Sequence, residues 1–277
     1  MIPSDELKRM AGFSGIHYGT LERDYCLGWM LYGISRERPL YHRILFKGGT
    51  ALRKSYFRDY RFSQDLDYTC RNELPSEKLE PLIRNACRNA THMSGMEFRL
   101  VEFKRTREVE GEEAFVAKIE YRGPSNPKTI LPRIQMDLTY YEKVVLEPQD
   151  RIIRHYYSDS LRGARAWSYA VEEILAEKLR AILQQRDKVP RPRDYYDLWR
   201  VLGQPRVNKE AIREAFTAKC KFKKVAFKSA ADFFQESVIE ANRVAWNASI
   251  GKQVRVVPSF DHVVTELKPM VERILSL

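Results

Sequence analysis

The chain has 277 residues, 44 % of them hydrophobic and 12 % aromatic, and a formal net charge of +11 at pH 7. That length suits one large domain or two modest ones, and that apolar content can build a core, which excludes wholesale disorder. No run of about 18 apolar residues exists, and Met1-Ile2-Pro3-Ser4-Asp5-Glu6 lacks a basic-then-apolar leader, so the expectation is a cytoplasmic protein with no membrane contact.

The sequence pI of 9.4 marks a basic surface that attracts polyanions, of which nucleic acid is the commonest in a cytoplasm. Cys26, Cys70, Cys87 and Cys220 are far apart and form no Cys-x-x-Cys pair, and the five histidines show no ligand spacing. Reduced, packed thiols are expected, and zinc is not.

Ser4 can cap a first helix, with Asp5 and Glu6 in its opening turn. The spacing of Leu21, Tyr25, Leu27, Leu31 and Tyr32 predicts a second helix over 17–36. Ile44-Leu45-Phe46 then reads as a short buried strand, Lys47-Gly48-Gly49-Thr50 as a turn, and Ala51 to Phe57 as a helix. A strand, glycines and a helix start leave backbone N–H groups aimed at an anion, and glycine lets that anion close on them.

In Arg61-x-Ser63-x-Asp65-x-Asp67 every second residue is polar, while Phe62 and Leu66 hold the other parity. On one strand this places both carboxylates on one face. Adjacent carboxylates repel unless a cation sits between them, and magnesium is held by one or two carboxylates plus substrate phosphates. An anion cradle followed by a metal pair is the pattern of a nucleoside-triphosphate site with phosphoryl-transfer chemistry.

Lys47-Gly48-Gly49-Thr50-Ala51-Leu52 with Arg61-x-Ser63-x-Asp65-x-Asp67 resembles the AbiEii/AbiGii-type toxins, a branch of the polymerase-β-like nucleotidyltransferases whose relatives include the MenT toxins. The resemblance implies an α+β fold: a mixed-sheet nucleotidyltransferase core with a helical C-terminal domain. It also implies an NTP substrate, two Mg2+ ions on Asp65 and Asp67, and phosphate binding by Lys47, Gly48, Gly49, Thr50 and Ser63. On the MenT likeness the acceptor is the 3′ end of tRNA, the outcome is blocked translation, and the protein partner is a cognate antitoxin.

Further along, a helix is expected over 77–93, then strands over 97–103 and 113–121 joined by a charged turn at Glu110-Gly111-Glu112. Gly123-Pro124-Ser125-Asn126-Pro127 marks another turn. The strand over 131–140 alternates Arg133, Gln135, Asp137 and Thr139 with Ile134, Met136 and Leu138. Asp137 is the candidate third carboxylate, the base for the incoming hydroxyl or a metal ligand. The pattern breaks over 145–165, which predicts a boundary between an α/β domain at 1–150 and a helical domain at 151–277.

Val171, Ile174, Leu175, Leu179 and Ile182 form the buried stripe of the strongest helix, over 168–185. Glu173 reads as part of its solvated face. Glu172-Glu173-x-Leu175-Ala176-Glu177-Lys178-Leu179-x-Ala181 resembles the family's second motif, which implies that Lys178 reaches the triphosphate. Arg191-x-Arg193-Asp194-Tyr195-Tyr196-Asp197-Leu198 resembles its third, which places Asp194 or Asp197 at the active site, Asp194 being favoured. Asp194 also sits where it can cap a helix.

Residues 201–230 hold eight Lys/Arg (Arg206, Lys209, Arg213, Lys219, Lys221, Lys223, Lys224, Lys228) against Glu210 and Glu214, with Phe216, Phe222 and Phe227 interleaved. Basic and aromatic residues so mixed suit RNA, although Phe216 reads better as core. Two amphipathic helices, over 230–245 and 262–275, close the chain. The reading is an Mg-dependent nucleotidyltransferase that moves NMP from NTP to a hydroxyl. Its competitors are a protein-modifying or small-molecule-modifying enzyme of the same fold and a non-catalytic RNA-binding module. The intact Asp-x-Asp speaks against the last, and the positive charge against a cationic small substrate.

Overall fold

In a computed structural model the protein is described over residues 1–71, 73–107, 112–126, 129–186 and 188–276. It divides into a sheet unit, 1–142 with 148–169, and a helical unit, 143–147 with 170–277. The expected boundary at 150 falls inside a strand. Gln149–Ile152 and Arg165–Ser168, read as irregular from sequence, pair antiparallel with each other, and the second of them pairs parallel with Ile44–Lys47. Four-residue strands that each carry an arginine and few apolar residues have no alternation long enough to read.

The sheet unit is built on α1 (Ser4–Ser14), α2 (Tyr18–Arg36), α3 (Arg38–Tyr41), β1 (Ile44–Lys47), α4 (Gly48–Ala51), β2 (Leu66–Cys70), α5 (Leu79–Ser94), β3 (Glu97–Arg107), β4 (Ala114–Arg122), β5 (Arg133–Thr139), β6 (Gln149–Ile152) and β7 (Arg165–Ser168). Its mixed seven-stranded sheet runs β3-β4-β5-β2-β1-β7-β6. β1 is buried at all four positions, as a central apolar strand must be. In β5, Ile134, Met136 and Leu138 are buried while Arg133, Gln135, Asp137 and Thr139 face the other way, as the alternation predicts. α2 is apolar nearly all round and buried from Leu21 to Ile34 apart from Arg23. It packs on α5 at Gly33, where a Cβ would lie 2.2 Å from the Ala86 carbonyl oxygen.

Two local expectations are corrected. The predicted helix over 51–57 is α4 followed by a π-helical turn over Leu52–Tyr56, with Phe57 N–H bonded to the Leu52 carbonyl. Residues 61–65 are irregular and β2 starts only at Leu66, so Asp65 and Asp67 do not share a strand. The turn expected at Glu110-Gly111 and the Pro127 end of the next lie outside the described residues. All four cysteines are free and buried.

The helical unit contains α6 (Val171–Gln185), α7 (Pro192–Leu202), α8 (Lys209–Lys223), α9 (Glu236–Ile250) and α10 (Phe260–Leu275). The apolar stripe of α6 is buried at Ile174, Leu175, Leu179 and Ile182. Phe216 is core, its ring 4.8 Å from Phe227 and 6.1 Å from Phe233. Among the described residues no helix is long and apolar enough to cross a membrane.

Candidate active site

One row of residues crosses the sheet. Lys47 stands opposite Asp67, Asp67 opposite Asp137, Asp137 opposite Val116, and Val116 opposite Lys104. Residues directly opposite on paired strands project on the same face, so a cation, two carboxylates and a small apolar gap lie side by side. Gln135 Nε2 donates to both oxygens of Asp137 at 3.0 Å. Burial pushes the Asp137 carboxyl above its ordinary range, more than Gln135 and Lys47 pull it down. A carboxylate so placed holds a proton more readily than one in water.

The two halves of the sequence motif meet at the glycines. Gly48 has φ +74°, and a Cβ there would lie 2.1 Å from Asp67 Oδ2. A Cβ on Gly49 would lie 2.5 Å from an Arg61 guanidinium nitrogen and 3.3 Å from Ser63 Oγ. Gly48 is required by its positive φ as well as by the carboxylate, whereas a side chain at Gly49 would displace the Arg61 guanidinium, and the helix N-terminus here abuts a carboxylate, a guanidinium and a hydroxyl. Thr50 is buried and donates its hydroxyl to the Asp65 carbonyl at 2.5 Å, so its side chain fixes the loop bearing Asp65. Lys47 is also mostly buried, its ammonium 5.7 Å from the Tyr169 ring centre. Arg61 is buried rather than solvent-facing and donates to the Phe62 carbonyl, because the backbone turns before β2 begins.

Sequence reasoning missed the charges behind this turn. Asp24, on α2, is 1 % exposed and accepts from Arg53 Nε at 2.7 Å and Lys54 Nζ at 2.8 Å; Tyr157 adds a hydroxyl at 2.9 Å. Burial raises the Asp24 carboxyl, but the two cations outweigh it and hold the group far below the usual range. Arg53 also donates to the Tyr60 carbonyl at 2.7 Å and lies 3.6 Å from the Phe62 ring centre, so it braces the segment leading to Arg61 and Ser63. The available signal was a charged residue inside the most apolar helix.

In the helical unit Lys178 lies 2.7 Å from Asp194 Oδ1 and 2.8 Å from Asp197 Oδ2. Arg191 Nε bonds the other Asp194 oxygen at 2.7 Å, and the Arg191 N–H is held by Asn242. Both candidate aspartates therefore contact the lysine, and Asp194 is no cap: it sits in the first turn of α7 with its carboxylate taken by cations. Glu173, expected in solvent, is fully buried against Lys219 at 2.7 Å and accepts from the N–H groups of Val145 and Leu146. Lys219, counted with the RNA-facing cations, is unavailable for that work.

A family model described as "Nucleotidyl transferase AbiEii toxin, Type IV TA system" matches residues 29–266. The chain belongs to the AbiEii family. It is therefore a nucleotidyltransferase, and the family is one of toxins. Two solved structures from Helicobacter pylori share the AbiEii chain's fold. JHP933 has a TM-score of 0.59 at 15 % identity, over 94 % of both chains. A protein provisionally assigned as a nucleotidyltransferase has a TM-score of 0.58 at 16 % identity, over 94 % of this chain and 96 % of its own. No curated protein sequence matches significantly.

The donor set of this AbiEii chain fits a hard divalent cation. Asp67 offers carboxylate oxygen beside a cradle too tight for a Cβ, and Asp65 precedes it by two residues. Among the described residues no three acidic, His or Cys side chains gather closely enough to cage a metal alone. Magnesium asks for less than a cage, since substrate phosphates complete its shell.

Proposed function

We propose that this AbiEii protein transfers a nucleoside monophosphate from an NTP to the 3′ hydroxyl of an RNA, tRNA being the acceptor its MenT-like motifs favour. The observation that carries this reading is the register of Asp67 with Asp137 beside the Gly48 turn. The backbone of Gly48, Gly49 and Thr50, with Lys47 and Ser63, binds the triphosphate. Asp65 and Asp67 hold magnesium, which when bound screens the triphosphate's charge and favours attack at phosphorus. Asp137 takes the proton from the acceptor hydroxyl as its oxygen bonds to the α-phosphorus. The bond to the bridging oxygen then breaks, and pyrophosphate leaves. Lys178 neutralises triphosphate charge, and Asp194 keeps it poised.

Capping tRNA in this way blocks translation in the cytoplasm and arrests growth, and a cognate antitoxin relieves it. The test incubates purified protein with each labelled NTP, magnesium and total RNA, beside Asp67→Asn. Label on RNA with the intact enzyme alone supports the reading. Label on a protein or small molecule instead, or equal labelling by the variant, overturns it.

A further inference from the structure

The lysines at the end of α8 are not explained by folding. Between Glu214 and Asp232 the chain has no acidic residue and five lysines, of which Lys219 is consumed by a buried ion pair. Lys221, Lys224 and Lys228 are exposed, and the next acid along the chain, Asp232, feels the charge of Lys228. That acid is already occupied. Its carboxylate accepts from the backbone N–H groups of Lys228 and Ser229, the second of these closing a capping box, and Arg186 lies 3.8 Å away.

Lys224 is the sharper anomaly. It is the residue that ends α8, at φ 53° and ψ 39°, and its N–H folds back to the Cys220 and Lys221 carbonyls. Glycine is favoured at that left-handed position because a Cβ is disfavoured there. A lysine held in this conformation keeps a charge where the fold would be better served without a side chain. The negative end of the helix dipole accounts for one nearby cation in the last turn, not for three. Beside them the Phe222 ring is half-exposed, with the Lys223 ammonium 5.5 Å from its centre.

We propose that Lys221, Lys224 and Lys228, at the C-terminal end of α8, form the surface that docks the phosphate backbone of the acceptor RNA. Compact ammonium groups match phosphates as point charges, and a neighbouring aromatic face can stack an unpaired base. Charge complementarity selects the occupant: three exposed cations in a stretch without acids, on a chain of net charge +11, call for a polyanion. The inference rests on the RNA-acceptor reading above and gives it a place.

The experiment measures binding of unfractionated tRNA by fluorescence anisotropy between 50 and 200 mM KCl, with poly-glutamate as a second probe. Wild-type protein is compared with K221Q/K224G/K228Q. Losing three phosphate contacts should flatten the slope of log affinity against log salt by about 2 and weaken binding roughly tenfold or more at 50 mM. The same variant should melt about 2–4 °C higher, since glycine relieves the left-handed position, so lost binding cannot be put down to lost folding. An unchanged slope with intact wild-type binding overturns the surface and leaves the RNA reading standing. Absence of salt-sensitive tRNA binding by wild type overturns both. Loss of poly-glutamate binding with tRNA unaffected assigns the lysines to an acidic protein and overturns the proposal.

Discussion

A Cβ built on Gly48 would come within 2.1 Å of Asp67 Oδ2, so the glycine and the carboxylate are fitted to each other without room for a methyl group. Gly48→Ala must also hold φ +74°, which costs about 1–2 kcal/mol. Transfer activity should fall at least about 100-fold, the scale of losing a positioned group at the reacting centre. Gly95 is the control: it has φ +71° with nothing within 4 Å of the added Cβ. Gly95→Ala should lose similar stability in urea melts and keep its activity, and equal activity loss in both would refute the fitted site.

Metal dependence follows from the hard-oxygen donor set. Chelation with EDTA should abolish NMP transfer, and added magnesium should restore it. Asp67→Asn, which keeps shape and loses charge, should reduce kcat by about two to three orders of magnitude without lowering the melting temperature. A variant that kept wild-type kcat would remove Asp67 from the site.

Lys178 contacts both Asp194 and Asp197, so Lys178→Met removes the cation that these two buried carboxylates share. Removing one member of a buried ionic cluster costs about 3–5 kcal/mol, which urea unfolding would register. Lys178→Arg keeps the charge and should recover much of that loss, while the bulkier fork should not restore transfer.

Acid should loosen the same cluster. Burial pushes the Asp194 carboxyl up, but Lys178 and Arg191 more than offset it, so its folded pKa lies below the ordinary carboxylate value. A depressed pKa contributes stability in full above the unfolded value near about 3.9, and that contribution is lost as pH falls through the folded one. Stability measured from pH 6 downward should therefore drop below about pH 4. In Asp194→Asn, less stable at pH 6, that limb should be shallower; an identical limb would show that Asp194 is not involved.

Asp24 should matter to folding as much as to catalysis. Asp24→Asn strands Arg53 and Lys54 in the interior, for about 3–5 kcal/mol. Tyr157→Phe removes one hydrogen bond and should cost about 1 kcal/mol. Comparable melting temperatures for Asp24→Asn and wild type would contradict the buried pairing.

The residues that alternate or repeat locally declared their places before any fold was known. Ile134, Met136 and Leu138 alternate with polar neighbours, and Ile174, Leu175, Leu179 and Ile182 recur at helical spacing, so one face of each element had to be buried. The adjacency of Gly48-Gly49 and Asp67 was likewise legible as a motif, because a strand, a turn and a second strand lie within about twenty residues. Partnerships across long separations were not. Asp24 is 29 residues from Arg53, and Glu173 and Lys219 are each charged residues that read as solvent-facing until their helices are packed. Desolvation and ion pairing depend on what stands opposite in space, and no local period encodes that. Tertiary structure alone therefore decided which charges are interior, that β6 and β7 extend the sheet, and that Asp67 faces Asp137.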